Sequence, residues 1–169
     1  MTARRLIIQA DGGSRGNPGI AGYGAVVLDA VTGEVLAEVS EAIGHATNNV
    51  AEYSGLVAGL RAAGKLAPGA PAEVRMDSKL VVEQMSGRWK IKHPDLRPLA
   101  AEASRMARAL GRVTYTWVPR ERNTHADRLA NKAMDAVSGR AKPAGGNGAA
   151  GGSGAGSGGR RPSGTAGLW

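Results

Sequence analysis

At 169 residues with 42% apolar side chains, the chain is long enough for one domain with an appended segment and a real core, which in the absence of Phe must be built from Val, Leu, Ile and Ala. The lack of cysteine excludes a disulfide framework and thiolate metal sites, and no apolar run approaches the roughly 18 residues of a membrane span. The net charge of +8 permits phosphate contacts without establishing them, and residues 1–139 hold 18 of the 22 basic and all 14 acidic side chains, so the part expected to fold is only moderately basic.

Met1-Thr2-Ala3-Arg4-Arg5 leads into an apolar run too brief for a signal-peptide core, and a cytoplasmic location is expected. Arg4 to Ala10, with Leu6-Ile7-Ile8, reads as a buried strand. Gly22–Asp29 and Glu34–Ile43 read as two more strands joined by a turn at Val31-Thr32-Gly33, giving an antiparallel meander. Asn49–Leu66 carries Tyr53, Leu56, Val57, Leu60 and Ala63 at helical spacing. Pro68-Gly69 and Pro71 interrupt the chain before a strand at Ala72–Met76, and a short helix is expected over Ser78–Met85. Asp95–Leu110 reads as a helix, Arg112–Val118 as a fifth strand, and Ala126–Val137 as a last helix. The order βββαβααβα implies an α/β fold whose five-stranded mixed sheet, three antiparallel strands plus two parallel ones, is flanked by helices.

After Gly139 the composition changes. Residues 140–169 hold four basic residues and no acid, and between Ala141 and Gly167 no aliphatic side chain exceeds Ala. Such a segment buries too little apolar surface to offset its ordering entropy, so residues 1–139 are read as the domain and 140–169 as a flexible basic tail or linker. Leu168-Trp169 is an odd apolar finish for a tail, consistent with a second domain beyond it or with a plain disordered terminus.

Four acids fall where strands end or helices begin. Asp11 follows the first strand and precedes Gly12-Gly13, Asp77 follows the fourth, and Glu52 and Asp127 lie in the first turns of the long and last helices. Such ends are where ligand sites gather in open sheets. Carboxylates that converge there repel one another unless hard divalent cations intervene. Each acid also has a structural reading. Asp11 suits a turn, Glu52 completes a capping box with Asn49, Asp77 suits an N-cap, and Asp127 stands three residues after Thr124.

The surrounding residues separate these readings. Asp11-Gly12-Gly13-Ser14-Arg15-Gly16-Asn17-Pro18-Gly19 closely resembles the first segment of type 1 ribonuclease H. Thr47-Asn48-Asn49-Val50-Ala51-Glu52 resembles its T-N-N-x-x-E segment, Met76-Asp77-Ser78 its third, and Asn123-Thr124-His125-Ala126-Asp127 the segment that opens its final helix. One such motif is weak, but the ordered set on matching elements is specific. It covers most of residues 4–138 and none of the tail.

The resemblance implies a ribonuclease H-like fold and cleavage of the RNA strand of RNA/DNA hybrids, leaving 5′-phosphate and 3′-hydroxyl ends. Asp11, Glu52, Asp77 and Asp127 would be both catalytic and metal-ligating, holding two Mg²⁺ ions, or Mn²⁺, with Asp11 expected to bridge both and Asp127 to be the least tightly tied. It implies that Gly12, Gly13 and Ser14 face the RNA ribose near the cut and that Asn48 and Asn49 reach into the minor groove. Asn17 and Thr47 would hold a DNA phosphate, and Ser78 joins the substrate-binding set. The expected partner is the hybrid, with no membrane association and a monomeric chain.

Two departures from the family pattern stand out. Many members carry a histidine in a mobile loop well before the last aspartate, whereas here the nearby histidine is His125, read either as an accessory group or as a solvated helix-start residue, with Arg122 or Arg120 as the alternative local cation. Some members also insert a basic, Trp-rich protrusion after the third motif. Here only Gly87-Arg88-Trp89-Lys90-Ile91-Lys92-His93-Pro94 is present, so Trp89 and Lys90 are either a reduced version of that grip or part of an amphipathic linker. The competing functions are another nuclease or strand-transfer enzyme of the same fold, a noncatalytic hybrid-binding module, and a structural domain whose acids are caps.

Overall fold

The computed structural model describes residues 4–141. Three strands come first, β1 (Leu6–Arg15), β2 (Gly19–Asp29) and β3 (Val35–Ala46). They are followed by α1 (Asn48–Leu66), β4 (Ala72–Met76), α2 (Lys79–Met85), α3 (Arg97–Ala107) and β5 (Val113–Trp117), then a 3-10 turn at Arg120–Arg122 and α4 (Thr124–Ala141). The sheet order is β3-β2-β1-β4-β5, antiparallel across β1–β2 and β2–β3 and parallel across β1–β4 and β4–β5. This is the mixed sheet that the order of elements predicts.

The core lies between α1 and one face of the sheet. Leu6, Ile8 and Ala10 of β1 and Val74 and Met76 of β4 alternate toward it, and Tyr53, Leu56 and Leu60 of α1 close over them. α2 adds Leu80, Val81 and Val82, and α3 adds Ala100 and Ala103. α4 packs on the other face: Ala25 points into the α1 core, while its neighbour Gly24 lies against α4. Among the described residues no helix is long and apolar enough to cross a membrane. The tail expected beyond α4 lies outside the described residues, and α4 itself continues to Ala141, past its expected end at Val137.

Three local expectations need correction. Asp11 does not end β1, because Gly12 to Arg15 continue the antiparallel ladder, with Gly12 opposite Tyr23 and Arg15 opposite Ile20. Gly-Gly reads as a turn in isolation, but β2 supplies partners for its backbone groups. Toward β4 the strand does end, since the parallel ladder stops at Gln9 opposite Arg75. Second, Thr47 rather than Asn49 caps α1, its Oγ1 accepting from Val50 N at 3.2 Å. Glu52 therefore sits beyond the first turn and outside any capping box. Third, Ser78 caps α2, its Oγ accepting from Val81 N at 3.3 Å, so Asp77 is not the cap.

Candidate active site

Strand register sets the first pair of acids. Leu6 stands opposite Ala72 and Gln9 opposite Arg75 in the parallel β1–β4 ladder. The ladder ends there; counted on by two residues, the same register would set Asp11 level with Asp77, just past the end of β4. Alternation turns Ala10 and Met76 into the α1 core, so both aspartates leave the opposite face. Asp11 is only 3% exposed.

Two glycines bring the helices that carry the other two acids close to β1 and β2. Gly12 passes so close to α1 that a methyl group there would overlap the backbone of Ala51 and Glu52. Glu52 is thereby set beside the residue that follows Asp11. Gly24 stands opposite Asp11 across β1–β2, and a methyl group on it would lie 2.5 Å from the Ala126 carbonyl oxygen and 2.7 Å from Ala130 N. The first turn of α4, which carries Asp127, consequently crosses the sheet at Asp11. The four acids are carried by four separate segments, with α1 packed against β1 at Gly12 and α4 against β2 at Gly24. As the side chains stand, no group of three or more His, Asp or Glu among the described residues is gathered ready to hold a metal ion.

A residue to which the sequence reading assigned no role ties the strands together. Asn123 is 1% exposed, and its Nδ2 donates to Ala10 O at 2.9 Å and to Asp77 Oδ1 at 2.8 Å. Both partners only accept, so the amide orientation is fixed. Its buried Oδ1 has no hydrogen-bond partner. The sequence marks Asn123 only as the first residue of the last motif segment; its side chain reaches across to β1 and to the residue after β4.

The residues expected to meet substrate form a knot between the β1–β2 turn and α1. Ser14 N donates to Asn48 Oδ1 at 2.7 Å, and Ser14 Oγ donates to Ala46 O at 2.7 Å and also contacts Gly16 O. Asn48 N donates to Asn17 Oδ1 at 3.2 Å. Gly12 and Gly13 are buried, while Thr47, Asn48, Asn49 and Ser78 are half-buried. His125 turns toward β3, its Nε2 2.7 Å from Glu38 Oε2. Arg122 is exposed on the 3-10 turn. Trp89 is 44% exposed and Lys90 is exposed beside it, on the loop after α2. Trp117, unassigned in the sequence, is 49% exposed at the end of β5 and donates its Nε1 to Asp77 O at 3.2 Å.

A family described as reverse transcriptase-like matches residues 9–133. The solved N-terminal RNase H domain of Rv2228c from Mycobacterium tuberculosis superposes with a TM-score of 0.79 at 62% identity, covering 83% of this chain and all of that one. The chain belongs to the ribonuclease H family. It is 64% identical over 134 residues to the bifunctional protein Rv2228c, a match of 79% of this chain and 36% of that protein's length. The ribonuclease HI of Halobacterium salinarum is 43% identical over 125 residues, spanning 74% of this chain and 62% of the relative. LC11-RNase H1, solved in complex with an RNA/DNA hybrid, superposes with a TM-score of 0.74 at 40% identity, over 78% of this ribonuclease H-family chain and 98% of that one.

Proposed function

We propose that the chain is an endoribonuclease that hydrolyses the RNA strand of RNA/DNA hybrids, with Asp11, Glu52, Asp77 and Asp127 holding two divalent ions, Mg²⁺ or Mn²⁺. The observation that carries this reading is the packing at Asp11: its strand neighbour Gly12 lies against the backbone of Ala51 and Glu52, and its cross-strand partner Gly24 lies against the first turns of α4. Membership of the ribonuclease H family, and a relative solved with an RNA/DNA hybrid, support the choice of substrate.

The donor chemistry fits a hard cation. Asp11 is a buried carboxylate, Asp77 makes no ion pair among the described residues, and the orphaned Asn123 Oδ1 is a further buried oxygen. When bound, the ions supply the charge that lets these carboxylates share one strand end, together with polarisation of the phosphate and of the attacking water. The chain's own residues do the positioning. Asn123 fixes the Asp77 carboxylate against β1, and the backbone around Gly12 fixes α1 and hence Glu52. In-line attack at the phosphorus then leaves 5′-phosphate and 3′-hydroxyl ends.

Recognition follows from what the knot leaves over. Asn48 spends its Oδ1 on Ser14 and keeps its Nδ2 as a donor, which with Asn49 suits base edges and sugars in the minor groove. Asn17 likewise keeps its amide donor, and Thr47 accepts from Val50 N while its own O–H remains to donate to a DNA phosphate. Ser78 has the same spare O–H. The backbone of Gly12, Gly13 and Ser14 faces the RNA ribose, and Trp89 with Lys90 grips the strand farther out. The residues after α4 serve as a basic tail or as a linker, and this portion acts as a monomer.

Hybrid, duplex DNA and single-stranded RNA of one sequence, offered separately with Mg²⁺, test the reading. Cleavage confined to the RNA strand of the hybrid is expected. Cleavage of duplex DNA would favour another nuclease of this fold, and hybrid binding without cleavage a noncatalytic module.

A further inference from the structure

Four polar side chains are buried in the described residues, namely Asp11, Ser14, Gln84 and Asn123. Three belong to the site. Gln84 lies on α2, away from the strand ends, where a leucine would fill the same space without polar groups to satisfy. Its amide is used at both ends. Oε1 accepts from Tyr53 OH at 2.7 Å, and Nε2 donates to Lys90 O at 3.1 Å. Lys90 O only accepts, so the NH₂ group must face it and the amide oxygen must face Tyr53.

The two partners connect the proposed chemistry to an exposed loop. Tyr53 is fully buried in α1 and follows Glu52 directly. Its hydroxyl is the donor to the Gln84 amide oxygen. Lys90 belongs to the loop between α2 and α3. That loop leaves α2 through Arg88 N and Trp89 N, both donating to Glu83 O, at 3.0 and 3.1 Å. Gln84 then holds the carbonyl of Lys90, and Arg97 Nε holds that of Ile91 at 3.1 Å. With the backbone pinned at consecutive residues, Trp89, Lys90 and Lys92 stay exposed, and neither lysine is ion-paired among the described residues. An exposed aromatic ring followed in the same loop by two exposed lysines suits a nucleic-acid strand, by stacking and phosphate contact.

We infer that Gln84, backed by the Tyr53 hydroxyl, is a positioning residue for substrate binding: it anchors the Trp89–Lys92 loop to the helix that carries Glu52, fixing where the hybrid backbone is held relative to the carboxylates. This inference rests on the proposed hybrid substrate. It assigns binding to Gln84 and leaves the bond-breaking step to the acids. Loss of the anchor frees the loop, so hybrid affinity falls while turnover at saturation is kept.

The test is the salt dependence of hybrid binding, measured without divalent ions so that nothing is cleaved. Each phosphate contact contributes about 0.9 to the slope of log K against log salt. Q84L and Y53F are expected to make the slope shallower by about one to two, as K90A/K92A does, and Q84L added to K90A/K92A to change it no further. With Mg²⁺ restored, both single variants raise KM several-fold at unchanged kcat. Y53F keeps the ring and removes only the hydroxyl, so it carries the test should Q84L fail to fold. V82A, a buried truncation in the same helix, serves as the stability control and should lower Tm at the wild-type slope. Q84L and Y53F behaving like V82A would overturn the inference. A wild-type chain that binds no hybrid would overturn the functional reading and this inference with it.

Discussion

The side-chain amide of Asn123 donates to Asp77 Oδ1 at 2.8 Å and, from the same nitrogen, to the carbonyl of Ala10 at 2.9 Å. One buried group thus joins β1, at the residue before Asp11, to Asp77, the residue that follows β4. N123A leaves the Ala10 carbonyl and a carboxylate oxygen without their donor, which costs about 1–3 kcal/mol of stability. Freeing Asp77 should also lower kcat by roughly ten- to a hundredfold. N123D, which sets a like charge against Asp77, should fall further than N123A. Urea denaturation and single-turnover cleavage measure the two effects, and wild-type kcat in N123A would remove Asn123 from the site.

Close approach at Gly12 and Gly24 makes a second prediction. G12A drives a methyl group into Ala51 and Glu52, and G24A drives one into Ala126 and Ala130. Each should destabilise by about 3 kcal/mol, and each should impair cleavage beyond its loss of folded fraction because it moves a helix that carries an acid. Activity per folded molecule separates displacement from unfolding. Activity equal to wild type on that scale would mean the helices do not set the acids.

His125 and Glu38 form a partly exposed pair across α4 and β3, a contact worth about 0–1 kcal/mol. H125A is expected to keep kcat within about threefold of wild type, in line with a surface role. A loss beyond about tenfold, or 1.4 kcal/mol, would restore His125 to the mechanism.

Asp29 offers a pH-dependent readout remote from the site. Backbone donation from Thr32 N at 2.9 Å and Val31 N at 2.8 Å, aided by Arg4, holds its carboxyl below the usual carboxylate value. A folded pKa below the unfolded one gives stability that is present above the unfolded value, near 3.9, and is lost as pH falls through the folded one. D29N keeps an acceptor oxygen but removes the charge, so the gap between wild type and D29N should be constant near neutrality and shrink below about pH 4. Thermal melts across that range check it; a gap that widens in acid would contradict the assignment.

Much of this was legible in the sequence. The mixed sheet of three antiparallel and two parallel strands followed from the order of elements, and the motif segments marked four acids as candidates before any geometry was available. What escaped was set by partners distant in the chain. Gly12-Gly13 reads as a turn because the residues that make it a strand, Gly22 and Tyr23, lie in β2. Asn123 and Ser78 occupy similar positions just before helices, yet Ser78 caps its helix while Asn123 reaches to β1 and β4. Gln84 carries no local mark at all, since its meaning depends on Tyr53, 31 residues away.

The central claim rests on the carboxylates, and Asp77 tests it most directly because D77N keeps the side-chain shape and an oxygen facing Asn123 while removing the charge. An end-labelled RNA/DNA hybrid should be cut in its RNA strand by the wild-type chain with Mg²⁺ or Mn²⁺. D77N, folded and binding hybrid as before, should cut it at least about a hundredfold more slowly, a loss of about 2.7 kcal/mol. Equal rates in the two proteins, or cleavage by wild type that survives removal of divalent ions, would contradict the account.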